Sequence, residues 1–475
     1  MSTERHPAVP ATIHPRWTRR EALARMAGGF GIVGLARMLA GEADPMRPKP
    51  GHFPARARRI VYLVMNGGMS HVDTFDPKPM LVKYNGQPMP GGTPKTERST
   101  GNLFASPFAF RKCGQSGIEV SEIFPRIGSL IDEFCVIRSM HTEVPNHEPS
   151  LFMFNTGAIQ PGRPSLGSWL MYGLGSENRN LPGFVVLCPG MPVVGSPLWS
   201  SAFLPAVFQG TFLKNTETDP YKLIRNIRPQ APAASQRRQL NLLAELNRKH
   251  LAEREGDSQL EASIEAMETA FRMQTEAPEA FDIRLERPDT LARYGDTEIG
   301  RSCLLARRLL ERGVRMVQIY YGNSQPWDSH EDILSHKRLA ARTDPAVASL
   351  VEDLKSRGML DDTLVVFGTE FGRTPAVENG STTKLHFGRD HNSLGYSIAL
   401  AGGGIRGGTV HGATDDFGYH AVDKPVHPHD LNATLLHLLG LDHTRLTYHY
   451  SGRDFRLTDV EGEVIREILV KPPVA

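Results

Sequence analysis

The chain has 475 residues, enough for one large α/β domain or two ordinary ones, and its 40% hydrophobic content is typical of a soluble globular protein. The formal net charge of +2 is close to neutral, and Lys and Arg form no long basic stripe, which argues against a nucleic-acid partner. The four cysteines form no C-x-x-C pair, which excludes a zinc ribbon and a thioredoxin-like motif.

The sequence of the N-terminal segment, residues 1–43, is typical of an export signal. Residues 17–23 (WTRREAL) are similar to the twin-arginine motif, a weakly apolar stretch follows, and small residues near position 40 suit a cleavage site. We expect the twin-arginine export machinery to carry the chain to the periplasm or the cell surface. The apolar stretch is too short for a stable transmembrane anchor. An ordinary amphipathic helix is the alternative.

Beyond a Pro-rich basic linker at 44–57, strand and helix patterns alternate with short connections. Continuous apolar or β-branched runs predict buried strands, and helical spacing that stops at glycine predicts helices. The predicted elements are strands at 59–65, 314–321, 363–367 and 397–401 and helices at 298–312, 345–357 and 429–439. This alternation predicts an α/β domain over 58–475, with a central mostly parallel sheet and helices on both faces.

Two segments depart from the alternation. Residues 230–280 are rich in Ala, Glu, Gln and Arg, with apolar residues at helical spacing, and we interpret them as a helical insertion packed on the sheet. Residues 85–120 are rich in Gly, Pro and Ser and predict a long irregular excursion.

Polar loops flank the predicted strands where a doubly wound sheet binds its ligands. His71 and Asp73 follow the first strand, Asp328 and His330 follow the second, and Glu370 follows the third. Side chains two residues apart in an extended loop point the same way, so both members of a pair can reach one ion. An Asp–His hydrogen bond that fixes a loop is the alternative for each pair taken alone.

We therefore expect one shared site with a divalent metal ion. Histidine and carboxylate ligands suit zinc, manganese or calcium, and the sequence does not choose between them. The candidate ligands are His71, Asp73, Asp328, His330, Glu370, Asp390 and His391.

Other polar residues are candidates for catalysis or anion binding. Thr142 and Ser150 are candidate nucleophiles that a metal or His147 would activate, although helix capping is the alternative for this segment. Arg373 and Arg389 are candidates for holding a sulfate or phosphate group, and bracing a loop through a carboxylate is the alternative.

Several motifs together resemble the exported, sulfatase-like proteins of the domain of unknown function 1501 family. They span roughly residues 58–460 and comprise GGMSHVDTFDPK (67–78), RSMHT (138–142), ARRLLERGVR (306–315), WDSH (327–330), GTEFGRTP (368–375) and GRDHN (388–392). The resemblance implies an alkaline phosphatase-superfamily fold, with metal ions held at strand ends, and hydrolysis of sulfate or phosphate esters.

The chain departs from that superfamily at several positions. Asn66 stands where an Asp usually follows the first strand, and Glu370-Phe371 replaces the usual Asp-His pair. None of the cysteines lies in a Cys-x-Pro-x-Arg motif, which the formylglycine sulfatase mechanism needs.

The sequence therefore predicts a metal-dependent hydrolase of small-molecule or glycan sulfate or phosphate esters outside the cytoplasm, without formylglycine. A catalytically inactive relative that binds an anionic glycan or a partner protein is the alternative.

Overall fold

The computed structural model describes residues 44–92, 96–224, 227–228, 231–253, 258–379 and 387–471. The proposed signal segment, residues 1–43, lies outside the described residues. The described helices are α1 (Pro79–Lys83), α2 (Pro125–Ser129), α3 (His147–Thr156), α4 (Leu166–Leu174), α5 (Pro220–Leu223), α6 (Ala233–Glu253), α7 (Ser258–Ala280), α8 (Pro288–Tyr294), α9 (Glu298–Glu311), α10 (Ser335–Ser356) and α11 (Pro428–Leu438).

The described strands comprise a large central set and several short pairs. They are β1 (Arg59–Val64), β2 (Thr100–Leu103), β3 (Phe110–Cys113), β4 (Ile118–Ser121), β5 (Phe134–Met140), β6 (Phe184–Leu187), β7 (Thr211–Leu213), β8 (Met316–Tyr320), β9 (Thr363–Gly368), β10 (Gly372–Arg373), β11 (Ala376–Glu378), β12 (His391–Asn392), β13 (Tyr396–Ala401), β14 (Thr409–His411), β15 (Ala413–Thr414), β16 (Ala421–Asp423), β17 (Tyr448–Tyr450) and β18 (Arg453–Phe455).

The central sheet has eight strands in the order β14-β5-β13-β9-β1-β8-β6-β7. β1 lies in the middle and pairs in parallel with β8 and β9, and β6 pairs in parallel with β8 and β7. β13 is antiparallel to both of its neighbours, β9 and β5, while β14 and β5 are parallel. Every described strand of this sheet except β13 therefore runs the same way, which confirms the predicted mostly parallel sheet.

Helices cover both faces of this sheet. Successive strand residues point to opposite faces, so the apolar side chains of β1 divide between two core clusters. Ile60, Tyr62 and Val64 pack in the cluster that includes α3, α4 and α11. Val61 and Leu63 pack in the cluster that includes α2, α9 and α10. Continuous apolar strand runs are the sequence counterpart of this double burial.

Two of the predicted elements are wrong in detail. α10 begins at Ser335 rather than at position 345, with Pro345 inside the helix. A proline lacks one helical N–H, but the buried Leu339 and Ala340 extend the apolar face before it. The excursion at 85–120 is not wholly irregular, because β3 and β4 form a hairpin and β2 pairs with the distant β11.

Residues 230–280 contain the two long helices α6 and α7. Met273, Ala277 and Ala280 of α7 are buried in the core, whereas Leu242 of α6 is 59% exposed. Among the described helices, none combines the length and the apolar character that crossing a bilayer requires.

The core packing of α9 can be tested with a pair of leucine substitutions. Leu309 is fully buried, and Leu309→Ala should lower the free energy of unfolding by about 2–5 kcal/mol in urea denaturation. The same change at the exposed Leu242 should alter it by less than about 0.5 kcal/mol. Equal effects at both sites would contradict the assignment of α9 to the core.

Candidate metal centre

The candidate site lies at the edge of the central sheet where the parallel strands have their carboxyl ends. The loops after β5, β8 and β9 carry His147, Asp328 and Glu370, and β12, just before the antiparallel β13, begins with His391. Because β13 runs in the opposite direction, its amino end meets the carboxyl ends of the others. Strand direction alone thus brings four separate stretches of sequence together.

Four side chains converge at this edge, and we call them the histidine–aspartate group: His147, Asp328, His330 and His391. Nε2 of His330 lies 2.8 Å from Oδ1 of Asp328 and 3.0 Å from Nε2 of His391. Nε2 of His147 and Nε2 of His391 each lie 3.4 Å from the same Asp328 oxygen. The four side chains are buried or half-buried, and Asp328 is the most exposed of them.

Each imidazole of the group meets a glutamate on its other side. Nδ1 of His147 lies 2.8 Å from Oε1 of Glu370. Nδ1 of His330 contacts Oε2 of Glu378, and Nδ1 of His391 lies 3.3 Å from Oε2 of Glu97. A carboxylate that is hydrogen-bonded to Nδ1, as at His147 and His330, fixes the ring and its tautomer, so that Nε2 can act as a metal ligand. Nδ1 of His391 has no hydrogen-bond partner among the described residues.

The donor set and its spacing fit a divalent transition metal. A tetrahedral zinc ion with bonds of about 2.0–2.1 Å holds its ligand atoms roughly 3.3 Å apart, close to the distances within the group. Nε2 of His147 is buried and has no hydrogen-bond partner among the described residues, as expected for an atom aimed at an ion. Three imidazoles and one carboxylate favour zinc over calcium, which prefers oxygen ligands.

Burial and the neighbouring charges shift the pKa values of the group. Burial lowers the pKa of His391 to about 3, so its imidazole is neutral near pH 7. Burial raises the pKa of Asp328, but the three imidazoles and Arg373 outweigh it and hold that pKa well below the usual range. Burial likewise lowers the pKa of His147, but the carboxylates of Asp328 and Glu370 outweigh it and raise that pKa.

The structure brings Asp328, His330 and His391 together among the predicted ligands, and adds His147, which the sequence suggested as a catalytic residue. Glu370 lies behind His147 and also accepts a hydrogen bond from the amide of Gly67 at 2.8 Å. Asp390 accepts hydrogen bonds from the amides of Arg98 and His391, both at 2.8 Å. A second possible set of ligand atoms joins Asp390 to His330 and Glu378.

His71 and Asp73 do not join the group. They form a 3₁₀ turn after β1, where Nε2 of His71 lies 2.7 Å from the carbonyl oxygen of Gly418. Asp73 is fully buried, and its carboxylate accepts two hydrogen bonds from the guanidinium of Arg389, at 2.8 and 3.2 Å. Each residue is engaged with a loop through Gly418 or Arg389, and the Asp–His hydrogen bond that was the alternative for this pair is not formed between the two side chains.

The two arginines predicted to hold an anion are fully buried and engaged with the protein. Arg389 also donates to the carbonyl oxygens of Thr374 and Phe104. Arg373 donates to the carbonyl oxygens of Gly67, Gly68 and Arg389, and its Nη2 lies 2.6 Å from Oδ1 of Asp328. Both residues therefore brace loops, and Arg373 also places a positive charge beside the group.

The candidate nucleophiles lie outside the group. The hydroxyl of Thr142 lies 3.4 Å from the carboxylate of Glu143. The hydroxyl of Ser150 donates to the carbonyl oxygen of Val144 at 2.5 Å. Among the described residues, no serine or threonine hydroxyl hydrogen-bonds to the histidine–aspartate group.

The two departures noted in the sequence have structural roles. Asn66 donates from Nδ2 to the carbonyl oxygens of Gly322 and Ser324, so it ties the loop after β1 to the loop after β8. The buried ring of Phe371 lies 4.7 Å from the rings of both His147 and His391, measured between centroids. Phe371 thus packs against two members of the group instead of contributing a ligand.

Sequence reasoning missed the residues around the group that come from distant segments. Glu97 and Arg98 belong to the excursion at 85–120, and Glu378 lies on β11. The pairing of β2 with β11 and the hydrogen bonds beside it bring these segments together, and no local sequence pattern predicts that pairing.

Residues 57–469 match the model of a family described as protein of unknown function (DUF1501). The chain belongs to this family. The match confirms the resemblance seen in the sequence motifs. Among curated proteins, none matches the sequence.

Solved structures similar to this chain include enzymes that act on esters. For the PsFucS1 sulfatase from Pseudoalteromonas sp., the identity is 13%, the TM-score 0.34, and the coverage 86% of this chain and 71% of that chain. For the phosphonate monoester hydrolase SpPMH from Silicibacter pomeroyi, the identity is 13%, the TM-score 0.33, and the coverage 73% of this chain and 71% of that chain. For the C-terminal periplasmic domain of EcEptC from Escherichia coli, in complex with Zn, the identity is 12%, the TM-score 0.33, and the coverage 86% of this chain and 96% of that chain.

Removing the charge behind His147 should weaken metal binding. Glu370→Gln leaves an oxygen acceptor but removes the carboxylate that orients the imidazole, so the Kd for zinc should rise about 10–100-fold in a chelator competition assay. Glu133→Gln, at a solvent-accessible glutamate that pairs with Lys355, is the matched control. An unchanged Kd in a folded Glu370→Gln protein would contradict the positioning role.

His336 should make the fold sensitive to acid. It is fully buried, its Nε2 accepts a hydrogen bond from the amide of Ser70 at 3.0 Å, and burial lowers its pKa to about 3. The unfolded chain takes up this proton near pH 6.5, whereas the folded chain resists it, so stability should fall as the pH drops from about 6.5 towards 3. In His336→Gln the free energy of unfolding should depend less steeply on pH over this range, and an unchanged slope would contradict the assignment.

Proposed function

We propose that this chain is a metal-dependent hydrolase of sulfate or phosphate esters that acts outside the cytoplasm. The convergence of three imidazole Nε2 atoms on one Asp328 oxygen, with a glutamate behind each ring, carries the proposal. A polar cluster of this kind at the ligand-binding edge of an α/β sheet is the arrangement expected of an active site.

The histidine–aspartate group would hold the metal, and zinc is the ion that its donors fit best. When bound, such an ion supplies Lewis acidity that polarises an ester oxygen. Phe371 excludes water from one side of the imidazoles. Arg373 offsets part of the negative charge of Asp328, so the carboxylate stays ionised in its half-buried position.

Water is the nucleophile that this site favours. Cys135, Cys188 and Cys303 are buried, and burial raises the pKa of each thiol, so these cysteines are unsuited to nucleophilic attack. Glu97, whose side chain is 41% exposed, is the accessible carboxylate beside His391. Glu97 faces Nδ1 of His391, on the side of the ring away from the Nε2 atom that would bind the metal, and in our proposal it helps to position this imidazole.

The proposed site of action rests on residues 1–43. The twin-arginine motif favours delivery of a folded protein to the periplasm or the cell surface. A small-molecule or glycan ester is the substrate class that would meet such a protein there.

The proposal predicts chelator-sensitive ester hydrolysis. Protein purified without chelator should contain about one equivalent of a divalent metal and should hydrolyse at least one member of a panel of aryl sulfates, phosphomonoesters and phosphodiesters. Chelation should abolish turnover, and added zinc or manganese should restore it. His330→Ala should lose both metal and activity, because His330 contacts two other members of the group.

The matched control is His449→Ala, since this histidine is 69% exposed and pairs with Asp454 on the surface. It should keep wild-type metal content and turnover. The proposal would be contradicted if the purified protein contained no metal and its melting temperature did not change when a chelator was added. Metal-loaded protein that binds sulfated glycans without turnover would favour the inactive, glycan-binding relative instead.

A further inference from the structure

Arg98 is an exposed arginine at the rim of the candidate metal centre. Its side chain is 55% exposed, and its Nη1 donates to Oε1 of Glu378 at 2.9 Å. Within the described part of the chain, its Nε and Nη2 have no hydrogen-bond partner. This guanidinium is therefore anchored at one nitrogen and open at the others.

The backbone around Arg98 is fixed, so the guanidinium is held in place at its base. The Arg98 amide donates to Oδ2 of Asp390 at 2.8 Å. The carbonyl of Ser99 accepts from the amide of Asn379 at 2.7 Å, and Thr100 of β2 pairs with Glu378 of β11. The last two contacts join residues 99–100 to β11 and the residue after it. β11 also carries Glu378, which accepts the hydrogen bond from the Arg98 side chain.

A single carboxylate links Arg98 to the histidine–aspartate group. Glu378 accepts from Arg98 through Oε1 and contacts Nδ1 of His330 through Oε2. The negative charges of Asp390 and Asp328 also help to raise the pKa of Arg98, after the hydrogen bond to Glu378. Arg98 thus lies one side chain away from a proposed metal ligand.

The two buried arginines of the site are not free to bind an anion from solvent. Arg373 and Arg389 are fully buried and donate to backbone carbonyls and carboxylates of the protein itself. Arg98, by contrast, is open to solvent, and a planar guanidinium with two free donor nitrogens matches two oxygens of a sulfate or phosphate group.

We infer that Arg98 receives the negatively charged ester group of the substrate and sets the preference of the site for anionic esters. The inference rests on the proposed function, since it names a substrate contact of the same site. It concerns binding alone, however, so oxyanion affinity can be measured whether or not turnover occurs.

The test is calorimetric titration of the metal-loaded protein with inorganic phosphate and, separately, with inorganic sulfate. Arg98→Met should raise the Kd of each anion about 10–100-fold, the loss expected for a charged hydrogen-bonding contact. Arg98→Lys keeps the charge without the fork of donors and should give an intermediate Kd. Arg287→Met, at an arginine that is 84% exposed and pairs with Asp289 at 3.6 Å, is the control and should bind like wild type.

The metal content of each variant shows whether Arg98 binds the anion directly or acts by positioning Glu378 and His330. Arg98→Met with wild-type metal content and weakened anion binding supports the inference. An unchanged Kd for both anions would overturn it, and so would a loss of metal in Arg98→Met, because Arg98 would then act through Glu378 and His330. If the wild-type protein binds the anions through Arg98 but hydrolyses no ester, the proposed function is contradicted and the Arg98 contact still stands.

Discussion

The candidate site depends on three imidazoles that point their Nε2 atoms at one carboxylate oxygen. Nitrogen atoms as close as those of His330 and His391, 3.0 Å apart, hold such a position only if a proton or a cation lies between them. Hydrogen bonds between Nδ1 and a glutamate fix the rings of His147 and His330, and the Glu97 carboxylate lies 3.3 Å from Nδ1 of His391. A shared proton or a metal ion would each satisfy this geometry, and a metal ion is the one that we propose. The surrounding loops hold the four side chains in this arrangement.

The rest of the fold serves this constraint. The parallel strands deliver their loops to one edge, and the reversal of β13 adds His391 from the opposite chain direction. Buried ion pairs then fix those loops, with Arg389 on Asp73 and Arg373 on Asp328. Replacing one partner of a buried pair leaves an uncompensated charge, which is strongly destabilising. Both guanidiniums are engaged with the protein, and in our proposal the exposed Arg98 is the one that meets a ligand.

The sequence predicted the sheet well because its strands are buried on both faces and read as unbroken apolar runs, as at 59–65 and 363–367. It also singled out Asp328, His330 and His391, which the structure brings together, since these residues follow or precede such runs directly. It did not separate the residues that converge from those that contact other loops, because His71 and Asp73 have the same spacing as Asp328 and His330. Glu97, Arg98 and Glu378 escaped notice because β2 and β11, which align them, are far apart in the chain.

The most direct measurement is anomalous diffraction at the zinc absorption edge from crystals of the protein grown with zinc. We expect one strong peak bounded by His147, Asp328, His330 and His391, with ligand distances of about 2.0–2.2 Å. A peak at another position, or none at these four residues in fully ordered crystals, would contradict the metal centre and with it the proposed hydrolase.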